Sequence, residues 1–342
     1  MAASGPQRDN RQGLEAARAI SVVIVNYNSG DDLRECLTAL AAQTAPAAEI
    51  VVVDNGSVDG SLDRAASVLD ETGATVVRLD TNTGFAGGVN HGAATARGPW
   101  LATLNPDARP NPDWLAALAG ATERYPDAAV FGSTQLRADD PTLLDGCGDV
   151  YHALGLAWRG GFGWPRGTVA GDAEVFAACA AAALYDLAAF RAVGGLDERF
   201  FCYLEDVDLG FRLRLRGGRA IQVADAVVSH KGGAAGGRPD GFEAYHAMRN
   251  SLWCYVHNMP GPLFWPLWPA SVALHGILAL RGGTAARRGW RHGIRGLPSA
   301  FATRRRTQAQ RTVSTGAIAR WLVWSLGAVR RRAPKRRSVE AS

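Results

Sequence analysis

A chain of 342 residues, 47% of them hydrophobic, is ample for a sizeable core and long for a single domain. Its net charge of +5 is unevenly spread: residues 281–342 carry 16 of the 37 Lys and Arg and one of the 32 acids, so a mildly acidic body ends in a strongly basic tail. Scattered cysteines (Cys36, Cys147, Cys179, Cys202, Cys254) with no CxxC pair point to reduced core thiols in a cytosolic protein rather than disulfides or zinc, and polar residues 1–19, lacking an apolar h-region, argue against a secretory signal and predict a disordered leader.

Ile20–Val25 is a short apolar, β-branched run and predicts a buried parallel strand. Asn26-Tyr27-Asn28-Ser29-Gly30 is a turn, after which Asp31 or Asp32 can cap a helix with Leu33, Leu37 and Leu40 on one face. Ile50–Val53 predicts a second strand, ended by Asp54-Asn55-Gly56-Ser57 and followed by a helix from about Asp59 to Leu69. Thr75–Leu79 predicts a third strand, Gly84–Gly92 leads into a short helix, and Trp100–Leu104 predicts a fourth strand that stops at Asn105-Pro106-Asp107. This alternation calls for a mainly parallel sheet with helices on both faces.

The pattern loosens after Phe131. Gly146 to Gly171 is rich in Gly, Trp and Arg and reads as a long loop over a site. Ala180–Tyr185 predicts another strand, and Glu205–Arg216 a helix closed by Gly217-Gly218. Ala220–Val223 and Ala226–Val228 predict short strands before Ser229-His230-Lys231. Gly232–Gly237 is expected to be a flexible loop, and Phe242–Val256 a helix that includes Arg249 and Asn250.

Pro262 to Leu280 has no formal charge and is long enough to be a candidate span. Pro266, Pro269 and His275 interrupt it, its first third is aromatic, and arginines follow. These features favour a segment lying in the interface over one crossing it, with a soluble core helix as the further alternative. Ala317–Val329, with Trp321 and Trp324, repeats the apolar-then-basic order before Arg330, Arg331 and Arg332. Anionic headgroups attract each such base by about 1 kcal/mol. The expected partner is therefore an anionic membrane surface and not nucleic acid, which would not need the uncharged aromatic stretch.

Ligands of doubly wound sheets bind at the carboxyl ends of the strands. Asn26, Asp54, Gly84–Asn90 and Asp107 all follow predicted strands and should converge on one edge. Asp54 can accept the imide N–H of uracil or thymine, or simply make an Asx-turn or helix cap. Gly84-Phe85-Ala86-Gly87-Gly88-Val89-Asn90 lets backbone approach a ligand, or is a Gly-rich helix start; it does not match G-x-G-x-x-G. Asp107 suits a hard divalent cation shared with substrate phosphates, or a β-turn. His230 could add a second metal ligand or a diphosphate contact, although a lone His is more often structural. At Glu205-Asp206-Val207-Asp208 the helix dipole accounts for acids in a first turn. It does not account for the aromatic lead-in Phe200–Leu204, which would make a partly dry wall for a proton-abstracting base.

As an ordered set, NYN, DNGS, GFAGGVN, LNPDA and GGLDERFFCYLEDVDLGFRLRLRG followed by SHKGG resemble family 2 glycosyltransferases of the GT-A fold, in particular the bacterial rhamnosyltransferase-like branch, over residues 20–257. The resemblance implies a Rossmann-like mixed α/β sheet flanked by helices. It also implies inverting transfer from a nucleotide-diphospho-sugar, with dTDP-L-rhamnose the leading donor, to a lipid-linked (polyprenyl) or cell-surface glycan. UDP-galactofuranose or GDP-mannose on the same machinery is the alternative, and a non-catalytic nucleotide-sugar-binding scaffold a remoter one. Under the resemblance Asp206, with Glu205, is catalytic; Asn26, Asn28, Asp54, Asn55, Gly87, Gly88, Asn90 and Asn105 bind the nucleotide sugar; Asp107 and His230 hold Mg²⁺ or Mn²⁺. The chain departs at Asn105, where many relatives carry an acid, which implies weaker metal affinity, and at Ala180–Ala183, where relatives often carry Gly and Ser. The expected organisation is a leader (1–19), a GT-A domain (20–257), a membrane-associating helical region (258–329) and a basic disordered tail (330–342). The expected location is cytoplasmic, peripheral at the inner face of the cell membrane.

Overall fold

A computed structural model describes residues 19–232 and 241–339. The expected leader therefore lies, apart from Ala19, outside the described residues, as does most of the expected Gly232–Gly237 loop. The first half follows the predicted alternation: β1 (Ile20–Asn26), α1 (Asp32–Ala41), β2 (Glu49–Asp54), α2 (Ser61–Thr72), β3 (Thr75–Arg78), α3 (Gly84–Thr95) and β4 (Trp100–Leu104). β1 pairs in parallel with β2 and β4, and β2 with β3. Every residue of β1 is buried, as befits a strand covered on both faces. Ile20, Val22 and Ile24 join one core with Leu33, Leu37 and Leu40 of α1, while Val23 and Val25 join the opposite core with Ala86, Val89 and Ala93 of α3. The two-residue side-chain period of a strand sorts them.

The second half continues with β5 (Ala108–Pro110), α4 (Trp114–Arg124), β6 (Ala128–Arg137), β7 (Leu144–Gly146), β8 (Asp149–Tyr151), β9 (Ala157–Arg159) and β10 (Ala173–Val175). After these come β11 (Ala182–Asp186), α5 (Leu187–Ala192), α6 (Glu205–Leu215) and β12 (Arg219–His230). β11 runs antiparallel between β4 and β6, and β12 runs parallel to β6. The sheet is thus mixed rather than mainly parallel, because β11 enters it against its neighbours. The fold is GT-A.

Several elements differ from expectation. β6 hides where the apolar pattern loosens because Ser133, Thr134 and Gln135 are buried in it. Ser133 and Thr134 are satisfied internally: Trp114 Nε1 donates to Ser133 Oγ (2.8 Å) and Gln222 Nε2 to Thr134 Oγ1 (3.2 Å). The two short strands expected before His230 are one strand with an irregularity in its pairing to β6 between Val223 and Val227. The glycine run Gly84–Gly92 does not lead into a helix; it is helical from Gly84 onward. The expected long loop Gly146–Gly171 contains the β8–β9 hairpin, and buries Cys147, Val150, Tyr151 and Trp158.

The C-terminal helices are α7 (Phe242–Asn258), α8 (Gly261–Arg281), α9 (Gly283–Arg295), α10 (Leu297–Ala309), α11 (Thr315–Ala319) and α12 (Leu326–Arg330). They share a third core with the sheet domain, formed by Tyr151, Phe176, Phe200, Phe211, Tyr255, Phe264 and Trp321. The amphipathic stretch Ala317–Val329 is not one helix: Trp321 is buried between α11 and α12, and Trp324 is exposed. Residues 330–339 are not a loose tail. β13 (Arg337–Ser338) pairs antiparallel with β10, Arg336 donates to Thr168 O and Gly171 O, and Trp158 Nε1 donates to Ala333 O (3.0 Å). Charge composition conceals this docking because the partners are carbonyls and ring faces: Arg337 and Arg214 sit 4.4 and 4.2 Å from the Trp321 ring centroid.

Candidate active site

Strand register brings the candidate residues together. Asn26 lies opposite Asp54 across β1 and β2, Val23 opposite Thr103 across β1 and β4, and Leu104 opposite Ala182 across β4 and β11. The ends of β2, β1 and β4 and the start of β11 are therefore side by side, each pair about 4.8 Å apart. Just past these ends lie Asn105-Pro106-Asp107 and Ala180-Ala181. Asn105 N–H donates to Ala181 O (2.8 Å), and Ala180 N–H donates to Asp206 Oδ2 (3.0 Å). Asp54, Asp107 and Asp206 consequently share one edge of the sheet.

At the β1–β2 side, the predicted polar residues form a hydrogen-bonded network at the strand ends. Asn26 is fully buried; its Nδ2 lies within hydrogen-bond distance of Asp54 Oδ1 (2.9 Å), Ser61 Oγ (3.0 Å) and Ser57 Oγ (3.1 Å). It thereby fixes the Asp54 carboxylate. Asn28 adopts a left-handed conformation (φ 49°), and its side-chain oxygen accepts Val58 N–H (2.9 Å). Asn55 Oδ1 accepts Thr83 N–H (2.9 Å) and its Nδ2 donates to Gly84 O (2.9 Å), clamping the entry to α3. Asn90 donates to Leu196 O (2.8 Å) and Glu198 Oε1 (3.0 Å), tying α3 to the segment before α6. At Gly88 an added Cβ would sit 2.5 Å from Val25 Cγ1, and at Gly87 2.6 Å from Thr83 Oγ1. The close approach these glycines permit is between α3 and its own protein.

At the β4–β12 side, His230 stands between two carboxylates. Its Nε2 is 3.3 Å from Asp107 Oδ1 and its Nδ1 2.8 Å from Asp145 Oδ2, with Asn105 Nδ2 3.4 Å from Nε2. Burial disfavours its charge, but hydrogen bonds to Asp107 and Asp145 outweigh this and raise its pKa to about 9. Asp107 and the imidazole face each other with Asp145 behind, the arrangement in which a carboxylate orients a histidine ligand. Among the described residues no cluster of three ligating side chains is found. The Asp107 carboxylate, completed by phosphate oxygens and water, fits Mg²⁺ or Mn²⁺ bound in the manner usual for nucleotide diphosphates, and His230 joins it only on giving up the Nε2 proton that its raised pKa retains.

The start of α6 assigns its acids to different surroundings. Asp206 is partly exposed; Ala180 N–H reaches its Oδ2, and Val207 N–H its Oδ1 (2.8 Å). Desolvation raises its pKa above the usual carboxylate value, while these N–H groups and Arg159 pull the other way. Glu205 is buried beside it. Asp208 is fully buried and turned toward α7, accepting from Asn258 Nδ2 (2.6 Å), Arg212 Nε (2.7 Å) and His257 Nδ1 (3.2 Å). Burial opposes its ionisation, yet Arg212, His257 and Asn258 hold it well below the usual range.

The approach to Asp206 is strained. Phe201, Tyr203 and Leu204 have φ of 64°, 71° and 66°, conformations that side chains other than glycine adopt at a cost of order 1–3 kcal/mol each. Asn250 Nδ2 lies within hydrogen-bond distance of Phe200 O (2.9 Å), Cys202 O (2.9 Å) and Tyr203 O (2.7 Å), and Arg249 donates to Phe200 O (2.7 Å). α7 thus holds the segment that leads into Asp206.

Sequence reasoning missed Asp149 and Arg159, which come from the stretch expected as a loop, and Asp145, which directly precedes it. Asp149 is buried, and its pKa is raised well above the ordinary value by that burial and by Asp206. The available signal was Asp145-Gly146-Cys147-Gly148-Asp149, where two carboxylates sit in an otherwise apolar run.

The profile of glycosyl transferase family 2 matches residues 21–194. The N-acetylglucosaminyl-diphospho-decaprenol L-rhamnosyltransferase of Mycobacterium tuberculosis is 30% identical over 293 residues, covering 77% of this chain and 91% of that protein. Among solved structures, a mannosyltransferase from Pyrobaculum calidifontis in complex with GDP-Man and Mn²⁺ superposes with a TM-score of 0.52 at 18% identity, covering 88% of this chain and 86% of that one. S. aureus TarS in complex with UDP-GlcNAc gives 0.57 at 17% identity, covering 85% and 83%. These two likenesses are of fold.

Proposed function

The chain belongs to glycosyl transferase family 2, and we propose that it is an inverting rhamnosyltransferase that moves L-rhamnose from dTDP-L-rhamnose to a polyprenyl-diphosphate-linked glycan precursor. It is a glycosyltransferase; the donor, the acceptor and the residue roles are the proposal. The observation that carries it is the register that sets Asp54, Asp107 and Asp206 on one edge. The rhamnosyl donor and the polyprenyl acceptor are supported by the printed activity of the mycobacterial relative.

Asp54, fixed by Asn26, accepts the imide N–H of the base. Asp206 takes the proton of an acceptor hydroxyl. That oxygen bonds to the anomeric carbon as the bond from this carbon to the diphosphate oxygen breaks on the opposite face, so configuration inverts. Mg²⁺ or Mn²⁺, held by Asp107 and His230, would neutralise the charge gained by the departing nucleoside diphosphate. Asp54 would serve uracil as well as thymine, which keeps UDP-galactofuranose, and with it GDP-mannose, as the competing donors. A thermal-shift panel of nucleotide sugars with Mg²⁺ or Mn²⁺ decides: dTDP-L-rhamnose should stabilise most, and a larger shift with either rival reassigns the donor.

We place the protein peripherally on the inner face of the membrane. α8 is long and apolar enough to cross a membrane by length and composition. It buries Phe264, Ser271, His275 and Ala279 against the protein and exposes Trp265, Ile277 and Leu280. One-sided burial, with Arg287, Arg288, Arg291 and Arg295 following on α9, supports a helix lying in the headgroup layer.

A further inference from the structure

Between Phe200 and Asp206 the chain turns sharply without a glycine. Cys202 N–H donates to Phe200 O (2.7 Å), and Phe201 between them has φ 64° and ψ −62°, the rarer and strained form of the γ-turn. Tyr203 follows at φ 71°. Leu204, at φ 66° and ψ 2°, is left-handed and opens α6. Residues other than glycine keep such conformations where their surroundings over-determine them.

Here main-chain carbonyls supply the grip. Those of Arg199 through Tyr203 are all met from outside the turn. Arg249 Nη2 reaches Arg199 O (3.0 Å) and Phe200 O (2.7 Å), and Ala86 N–H of α3 reaches Phe201 O (3.2 Å). Asn250 Nδ2 reaches Phe200 O (2.9 Å), Cys202 O (2.9 Å) and Tyr203 O (2.7 Å), so its two hydrogens are shared among three acceptors on both sides of the γ-turn. Asn250 is fully buried, and its Oδ1 accepts Arg249 Nε (2.9 Å), which orients the amide with Nδ2 toward the carbonyls. The effect passes to Asp206 through the backbone. Leu204 O accepts Asp208 N–H (2.9 Å), so the left-handed residue also starts the helix. Asp206 stands on that first turn, with its Oδ2 3.0 Å from Ala180 N.

We propose that Asn250 is a positioning residue for transfer: its amide gathers the carbonyls of Phe200, Cys202 and Tyr203 and so fixes the turn that sets the Asp206 carboxylate against Ala180. This rests on Asp206 being the base. A side chain that served packing alone would affect stability. A positioning residue also lowers turnover at unchanged donor affinity, and its loss is relieved when the turn no longer needs holding.

The test uses full-length Asn250→Ala. Hydrogen exchange read by mass spectrometry should quicken over residues 200–206 while β1 and β2 keep wild-type protection. Calorimetry with dTDP-L-rhamnose and Mn²⁺ should give near-wild-type affinity. With a polyprenyl-diphospho-N-acetylglucosamine acceptor, kcat should fall about tenfold to a hundredfold, the scale on which misplacement of a reacting group is felt. Leu204→Gly supplies the discriminating arm, because glycine takes the left-handed conformation without steric cost. Asn250→Ala should therefore lower kcat less in the Leu204→Gly background than in wild type. If Asn250→Ala does not fold, Asn250→Ser, which keeps one donor, is read in the same way. Should wild type not turn over dTDP-L-rhamnose, the donor selected by the thermal-shift panel takes its place in every arm. Unchanged exchange over 200–206, unchanged kcat in a folded variant, or an equal fall in both backgrounds overturns the proposal. Undiminished transfer by Asp206→Asn would instead overturn the base assignment, a failure told apart because hydrogen exchange does not depend on it.

Discussion

Asp206 and Asp208 are two residues apart on one helix, and their surroundings separate them. Asp206 stays partly exposed and is supported by two main-chain N–H groups. Asp208 is enclosed and fully engaged by Arg212, His257 and Asn258. Asp206→Asn should leave nucleotide binding, measured by calorimetry, nearly intact while lowering kcat by about 10²–10⁴-fold, the range for loss of a general base. Substantial residual turnover would reject the role. Asp208→Ala should instead act on stability, at about 3–5 kcal/mol, because it strands a buried cation. Its pKa is depressed in the folded state, so the stabilisation is present above the unfolded value of about 4 and is lost as pH falls through the lower folded value. The gap in Tm between wild type and Asp208→Ala should therefore be widest near neutrality and narrow below about pH 4. A gap that does not change with pH would mean that Asp208 acts by packing alone.

At the scale of elements, glycine decides how α3 meets β1. Gly88 and Gly92, one turn apart, lie over Val25 and Val23, two residues apart on the strand, and an added Cβ would approach those side chains within 2.5 and 2.3 Å. Val25 is β-branched and confined between sheet and helix, so it has few rotamers by which to yield. Gly88→Val should lower stability by about 1–3 kcal/mol, the usual range for overpacking. Gly167→Ala, where the added carbon meets nothing within 4 Å, is the neutral comparison. Equal Tm values for the two would show that α3 rides farther from the sheet. The same helix start abuts the strained segment before α6, where Ala86 N–H donates to Phe201 O (3.2 Å). Displacing α3 should therefore be felt at Asp206.

Across the whole molecule, the basic C-terminal third is not an appendage. Arg304 donates to Val256 O (2.9 Å) and Met259 O (2.6 Å), and α7, α8 and α10 close one core with α6. Truncation after α7 would expose that core, so membrane attachment is better tested on the surface. Trp265→Ser with Leu280→Ser removes two exposed side chains, 62% and 69% accessible, and should leave Tm unchanged. Flotation with anionic liposomes should fall markedly; undiminished flotation would exclude α8 as the contact. The result also bears on the proposed acceptor, since a polyprenyl-linked sugar would lie at the bilayer surface.

Local pattern determined much of this protein. Apolar runs ended by Asn26, Asp54 and Asn105 fixed which residues stand at strand ends, and the order of short motifs identified the family, because both are properties of neighbours in the chain. Long-range pairing decided the remainder. β6 could not be recognised while Ser133, Thr134 and Gln135 looked exposed, since their partners lie on α4 and β12. Asp145, Asp149 and Arg159 gained meaning only when the β8–β9 hairpin folded against the segment holding Asp206, and the tail was ordered by carbonyls and rings far along the chain. A buried polar group is stabilised by whatever meets it in space, and sequence proximity does not record that encounter.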